Sequence, residues 1–175
     1  HLMRIAVTDA CIFIDLIDLD LISVFFRLDV EIHTTVSVMD ELYIDQKQIL
    51  ENFRAKGKLF VHNLFEEDII EMNKISFPRG LSVQDRSVIY LAKKLAGAMV
   101  ITSDNLVRKF AKVQSLEVHG IFWVLDQLIA ESFLSKVQGV VILEMMPTKN
   151  SLYSGVFMRE EIKQRMILWK SEEII

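Results

Sequence analysis

Five short segments rich in β-branched and apolar residues recur through the first 120 residues: RIAVTD (4–9), EIHTTV (31–36), KLFVHN (58–63), AMVITS (98–103) and LEVHG (116–120). Each is separated from the next by a stretch with helical spacing, and this alternation is the strongest constraint in the chain. Parallel strands require a long crossover, usually a helix, and strands covered on both faces carry apolar side chains on both. The pattern therefore predicts an α/β domain: a parallel sheet with helices on both faces, doubly wound in three layers.

The intervening segments support this. Residues 10–25 are apolar at most positions, 38–55 places Met39, Leu42, Tyr43, Gln46, Ile49, Leu50 and Phe53 at helical spacing, and 65–75 is a shorter amphipathic stretch. Residues 82–97 give the clearest helix, with Ser82 as N-cap and Asp85 three positions on, a form of the capping box. After residue 120 the strands stop, and IFWVLDQLIAES, LSKVQGVVILEMM and REEIKQRMILWK all read as helices. Pro147 and TKNS (148–151) read as the loop between the last two. The expected organisation is one α/β domain over 3–133 and a C-terminal helical extension over 134–175, either packed on the same domain or forming a partner interface. His1-Leu2 reads as a non-native lead-in before Met3.

Several classes are excluded. With 175 residues, six Gly and two Pro, the chain is long enough for a core and too ordered in composition for a disordered segment. A single cysteine, Cys11, allows no internal disulfide, and no apolar run reaches the ~18 residues of a membrane span. Cytoplasmic placement, with no membrane partner, is the expectation. A net charge of -4 argues against binding nucleic acid by bulk attraction and leaves local basic groups or a metal to hold phosphates. The segment DACIFIDL after the first strand has no Gly, which removes the Gly-rich phosphate loop of nucleotide enzymes.

Ligands of an open parallel sheet bind beyond the carboxyl ends of its strands. Asp9 ends the first strand pattern and Asp104 the fourth; Glu41 lies in the first turns of the helix after the second strand, and Asp85 near the start of the helix that feeds the fourth. Gathered carboxylates repel unless protons or a cation offset them. Oxygen donors without clustered His or Cys favour Mg²⁺ or Mn²⁺ over softer metals, and such a site suits phosphodiester hydrolysis by an activated water. Taken singly, Asp9 and Asp104 read equally well as helix N-caps, and Asp85 as an acid favoured by the helix dipole.

VTDACIFIDL (7–16), TTVSVMDEL (34–42), LSVQDRSVIYLAKKL (81–95) and VITSDNLVRKFAK (100–112) resemble the four ordered motifs of the PIN-domain family, over about residues 4–125. The resemblance implies a Mg²⁺- or Mn²⁺-dependent ribonuclease fold, common in the VapC-type toxins of bacterial toxin–antitoxin pairs, with an acidic pocket at the strand ends. By the same resemblance Asp9, Glu41, Asp85 and Asp104 are the catalytic, metal-binding acids, RNA is the substrate, and an antitoxin protein and a homodimer are expected partners. Glu41 is preferred to its neighbour Asp40 because the family motif has Glu followed by an apolar residue, here Leu42. Ala10-Cys11 departs from the small polar residues usual after the first acid, which puts a supporting hydrogen bond in question; Thr102, Ser103 and Asn105 flank Asp104 and can supply such groups. That departure keeps a second reading open, a catalytically weak module that binds RNA or a protein partner.

Arg86, Lys93, Lys94, Arg108, Lys109 and Lys112 flank the expected pocket, as guides for an RNA backbone or as a solvated face, with Arg86 and Arg108 the ones to test. Asp15, Asp18 and Asp20 read as solvent-facing, and His33, His62 and His119 as strand-packed or surface residues. Cys11 lacks a paired His and is not read as a nucleophile. Val156, Phe157, Ile162, Met166, Ile167 and Trp169 are expected on one helical surface, either core or partner face.

Overall fold

The computed structural model describes residues 3–171, and the His1-Leu2 lead-in lies outside them. Strands β1 (Arg4–Thr8), β2 (Val30–Thr35), β3 (Leu59–His62), β4 (Met99–Ile101) and β5 (Glu117–His119) form one sheet in the order β3-β2-β1-β4-β5. Every pairing is parallel, and Thr8 lies opposite Ile101 at the end of the β1–β4 pair. The α/β class expected from the alternation is the one observed.

The helices are α1 (Ala10–Asp18), α2 (Ile22–Phe25), α3 (Val36–Met39), α4 (Ile44–Ala55), α5 (Glu66–Asn73), α6 (Val83–Lys94) and α7 (Asn105–Val113), followed by α8 (Ile121–Ala130), α9 (Lys136–Lys149) and α10 (Val156–Ser171). They group into two compact units, one of residues up to Ile14 with Asp29–Ile121, the other of Asp15–Leu28 with Phe122 onward. In the first, Ala6 and Val7 of β1 and all three residues of β4 are fully buried, as central parallel strands require. Helix α6 lays Val88, Ile89, Leu91 and Ala92 against the sheet and packs on β1, β2 and β4. The chain runs outward from β1 through β2 to β3, then crosses back to β4 on the other side of β1. The β1–β4 ends are therefore the switch point of the sheet, where flanking connections diverge and leave a crevice.

Several local expectations are corrected. The apolar run 10–25 is two helices, because Asp20 takes a left-handed conformation (φ 57°) and closes α1 with hydrogen bonds from Asp20 N to Ile17 O (3.0 Å) and Leu21 N to Leu16 O (2.7 Å). Asp tolerates that conformation better than most residues, and the result is a Schellman-type stop. The stretch 38–55 is also interrupted: α3 ends at Met39, so Glu41 lies in the turn before α4 and not in the first turns of a helix. Pro147 does not start a loop; α9 continues through it to Lys149. Proline's fixed φ is compatible with a helix, and so near the end Thr148 Oγ1 donating to Met145 O (2.6 Å) and Asn150 N donating to Met146 O (3.1 Å) complete the turn.

In the second unit Asp15 is buried and not solvent-facing, with the Tyr153 hydroxyl and Asn150 Nδ2 (3.1 Å) donating to its two oxygens. Burial pushes its carboxyl above the ordinary range. Helix α10 does not gather its apolar residues on one surface either. Ile162 and Trp169 point inward, whereas Val156, Phe157 and Ile167 are exposed.

Candidate functional site

Asp9 leaves β1 at its carboxyl end and is only 5% exposed. Its Oδ1 accepts from the Cys11 thiol (2.9 Å) and from the Ile12 amide (3.2 Å), and its Oδ2 accepts from the Thr102 hydroxyl. The Ile12 contact is the N-cap of α1 expected on the bland reading. The Cys11 contact is more informative: in the position where a hydroxyl or amide was in question, the thiol supplies the donor. These three donors hold the carboxylate in one orientation, yet burial outweighs them and raises its pKa from 3.8 to about 6, with the Asp85 charge adding to the rise.

Thr102 is fixed by its neighbours. Its amide donates to His119 O (2.9 Å), continuing the β4–β5 ladder, and its hydroxyl accepts the Asp104 amide (3.1 Å) while donating to Asp9. Asp104 caps α7, with Oδ1 taking the Val107 amide (2.9 Å). Thr102 thus ties the carboxylate of Asp9 to the backbone of Asp104 across adjacent strands, while the Asp104 carboxylate itself turns to the start of α7.

Motifs two and three are joined by a hydroxyl chain. The Val38 amide donates to Thr35 Oγ1 (3.1 Å), Thr35 and Ser87 hydroxyls lie 2.8 Å apart, and Ser87 donates to Gln84 O (2.7 Å). Because each hydroxyl carries one proton, the consistent direction runs from Thr35 to Ser87 to Gln84. This chain ties α3, which precedes Glu41, to the first turns of α6, which carry Asp85. Asp85 completes the capping box of α6: its Oδ2 accepts the Ser82 amide (3.2 Å), and its own amide donates to Ser82 Oγ (3.0 Å). Glu41 is exposed, and its pKa is raised by partial burial and by the Asp85 charge. Asp40, beside it, pairs instead with Lys47 (3.2 Å).

Asp9, Glu41 and Asp85 therefore share one electrostatic neighbourhood centred on Asp85, whereas Asp104 is tied to Asp9 only by its backbone amide, through the Thr102 hydroxyl. The donor set, all hard oxygens under mutual repulsion, fits a divalent cation such as Mg²⁺ or Mn²⁺ by its chemistry. Among the described residues no three His, Cys, Asp or Glu side chains stand close enough together to close on one ion. Asp85 and Asp104 each commit one oxygen to a cap and keep the other.

Of the basic residues, Lys94 pairs with Asp68 (2.8 Å), Lys93 donates to Gln114 (2.7 Å), and Arg86 donates to Leu81 O (3.2 Å) and lies over the Phe77 ring. Lys109 and Lys112 are exposed. Arg108 donates from Nη1 to Thr102 O (3.1 Å). Gly120, directly after β5, makes room for that guanidinium, since a Cβ there would come within 2.6 Å of Nη1. Sequence reading missed Gly120; its one local signal was a glycine at a strand end. The pairing of His33 Nδ1 with His62 Nε2 (2.7 Å) was also missed, because it joins neighbouring strands far apart in sequence.

Fold and site define a parallel α/β protein with one buried acid, Asp9, and three more accessible ones, Glu41, Asp85 and Asp104, following its strands or opening its helices. A family model described as PIN domain matches residues 5–166, and the chain belongs to the PIN-domain family. The match runs past the four motifs into the C-terminal helices. The architecture is accordingly the three-layer α/β/α sandwich, a fold of the nuclease type, whose members typically use divalent metals. No curated protein matches the chain. No helix among the described residues is long and apolar enough to cross a membrane.

Proposed function

We propose that the chain is a metal-dependent endoribonuclease, with Asp9, Glu41, Asp85 and Asp104 holding Mg²⁺ or Mn²⁺. The observation that carries this is Asp9: a carboxylate held by three donors at the sheet's switch point, buried at the cost of a raised pKa, with a second acid close enough to raise it further. A carboxyl kept in that position without a basic partner suits a cation.

When bound, a divalent ion supplies activation of the attacking water, polarisation of the phosphoryl oxygen and offset of charge on the leaving oxygen. The chain's residues do the positioning. Thr102 and Cys11 fix the two oxygens of Asp9, and Oδ2, with one donor, retains a lone pair facing away from that bond. The Thr35–Ser87 chain sets the turn carrying Glu41 against the helix start carrying Asp85. No side chain is called on as nucleophile. As a PIN-domain ribonuclease, the protein would fit the toxin role in a toxin–antitoxin pair, with an antitoxin and a second copy as partners and the cytoplasm as its place.

The expected result is Mn²⁺- or Mg²⁺-dependent RNA cleavage that Asp9→Asn and Asp104→Asn both abolish while circular dichroism stays native. Equal cleavage by the wild type and both variants would remove the proposal. The commitment of Asp85 and Asp104 oxygens to helix caps favours the rival reading, a weakly hydrolytic module that binds RNA or a protein, and binding without cleavage in the same assay would select it.

A further inference from the structure

We propose that Arg108 is a phosphate-binding residue, taking one backbone phosphate of a nucleic-acid strand laid across the β1–β4 edge. The inference rests on the nuclease reading and adds a residue to it. Arg108 is half-buried on α7, one turn after Asp104, and no carboxylate among the described residues pairs with it. A half-buried guanidinium without an acid partner is unusual, because desolvating a charge is costly unless it is paired. Here it is held in place instead: one N–H goes to Thr102 O, and the side chain lies over Gly120, where any Cβ would strike it.

Thr102 is the residue whose hydroxyl grips Asp9, so the guanidinium is anchored to the backbone at the same strand end as the first acid. A guanidinium presents five N–H donors in a planar fork that matches a phosphate, and one of them is in use. The neighbourhood is otherwise acidic, and a strand approaching Asp9, Glu41 and Asp85 needs a fixed positive group beside them. Arg86, the other candidate, is engaged with Leu81 O and the Phe77 ring. Lys93 and Lys94 are held by Gln114 and Asp68.

Two measurements run in parallel on the full chain. Fluorescence anisotropy of a labelled single-stranded oligouridylate, in EDTA and across a KCl series, reads binding without metal; Mn²⁺-dependent cleavage of the same strand tests the nuclease reading by itself. In Arg108→Gln the affinity is expected to fall ~10-fold, and the slope of log affinity against log salt to flatten by about 0.7, the value of one phosphate contact on a single strand. Arg108→Lys should restore the slope and part of the affinity. Gly120→Ala keeps the charge but displaces the guanidinium, and should lower affinity in the same direction by a smaller factor. For the active enzyme the loss should fall on KM more than on kcat. Lys58→Gln, an exposed lysine at the amino end of β3 and so at the opposite edge of the sheet, should leave affinity nearly unchanged. Unchanged affinity and slope in Arg108→Gln, equal loss in Lys58→Gln, or no binding by the wild type would each overturn the assignment. Binding that depends on Arg108 without any cleavage would uphold it and remove the nuclease reading.

Discussion

Asp9 shows how burying one carboxyl costs stability at neutral pH. Its carboxyl is pushed from 3.8 to about 6 by burial, and the Cys11, Thr102 and Ile12 donors only reduce that rise. A folded-state pKa above the unfolded one means that the protonated acid stabilises the fold fully below pH 3.8, and that this contribution is lost as pH rises through about 6. At neutral pH without metal the fold therefore carries a penalty, about 3 kcal/mol at ~1.4 kcal/mol per pH unit. Asparagine has the same shape and no charge; its oxygen can keep the Ile12 contact, and Thr102 can accept from its amide. Asp9→Asn is thus expected to unfold at a higher temperature than the wild type above pH 7 in EDTA. The difference should shrink as pH falls through 6 and vanish near pH 4. A variant less stable at every pH would show that the three hydrogen bonds, and not the charge, dominate at this position.

At the scale of elements, helix packing in the second unit is set by a glycine. Gly139 sits inside α9, and a Cβ there would lie 2.9 Å from the Trp169 ring of α10 and 3.0 Å from Ile129 Cδ1 of α8. Alanine would gain about 1 kcal/mol of helix propensity. The clash costs about 1–3 kcal/mol, because Trp169 is buried and a ring cannot bend aside. Gly139→Ala should lower the melting temperature by a few degrees, and a rise would mean that the ring has room to shift. The same distinction between local and tertiary causes explains what could be read from the sequence. The five strands and the caps at Ser82, Asp9 and Asp104 were legible because β-branched runs and capping residues act within a few positions. The stop at Asp20 and the turn holding Glu41 were not, since both lie within apolar helical spacing that continues across the break. Asp15 was read as exposed because its partners, Asn150 and Tyr153, are more than a hundred residues away in sequence. At the candidate site, the places of Asp9 after β1, Asp104 after β4 and Asp85 in the first turn of α6 were legible; the link through Thr102 and the cradle at Gly120 depend on which strands are neighbours.

For the molecule as a whole, the acids and the fold meet in one measurable quantity, the change in stability on adding metal. The chain carries a net charge of -4, and part of the repulsion behind that figure is concentrated among Asp9, Glu41 and Asp85. An ion that binds the native chain and not the unfolded one stabilises it by mass action, by about 2.7 kcal/mol at a hundred times its dissociation constant. For a chain of this length that corresponds to a rise of roughly 5–11 °C in melting temperature. The rise should depend on pH in a direction fixed by Asp9. Below about 6 its carboxyl holds a proton that the ion must displace, so the Mn²⁺ shift should be large at pH 7.5 and small at pH 5. Asp9→Asn should lose most of the shift at both values while starting from the higher metal-free melting temperature at pH 7.5. The two effects have opposite signs in one variant, which separates a metal site from general charge screening: salt acting at the surface would raise wild type and variant alike. No shift at millimolar Mn²⁺ in the wild type at pH 7.5 would leave the chain a PIN-domain binding module and direct the search from cleavage products to bound partners.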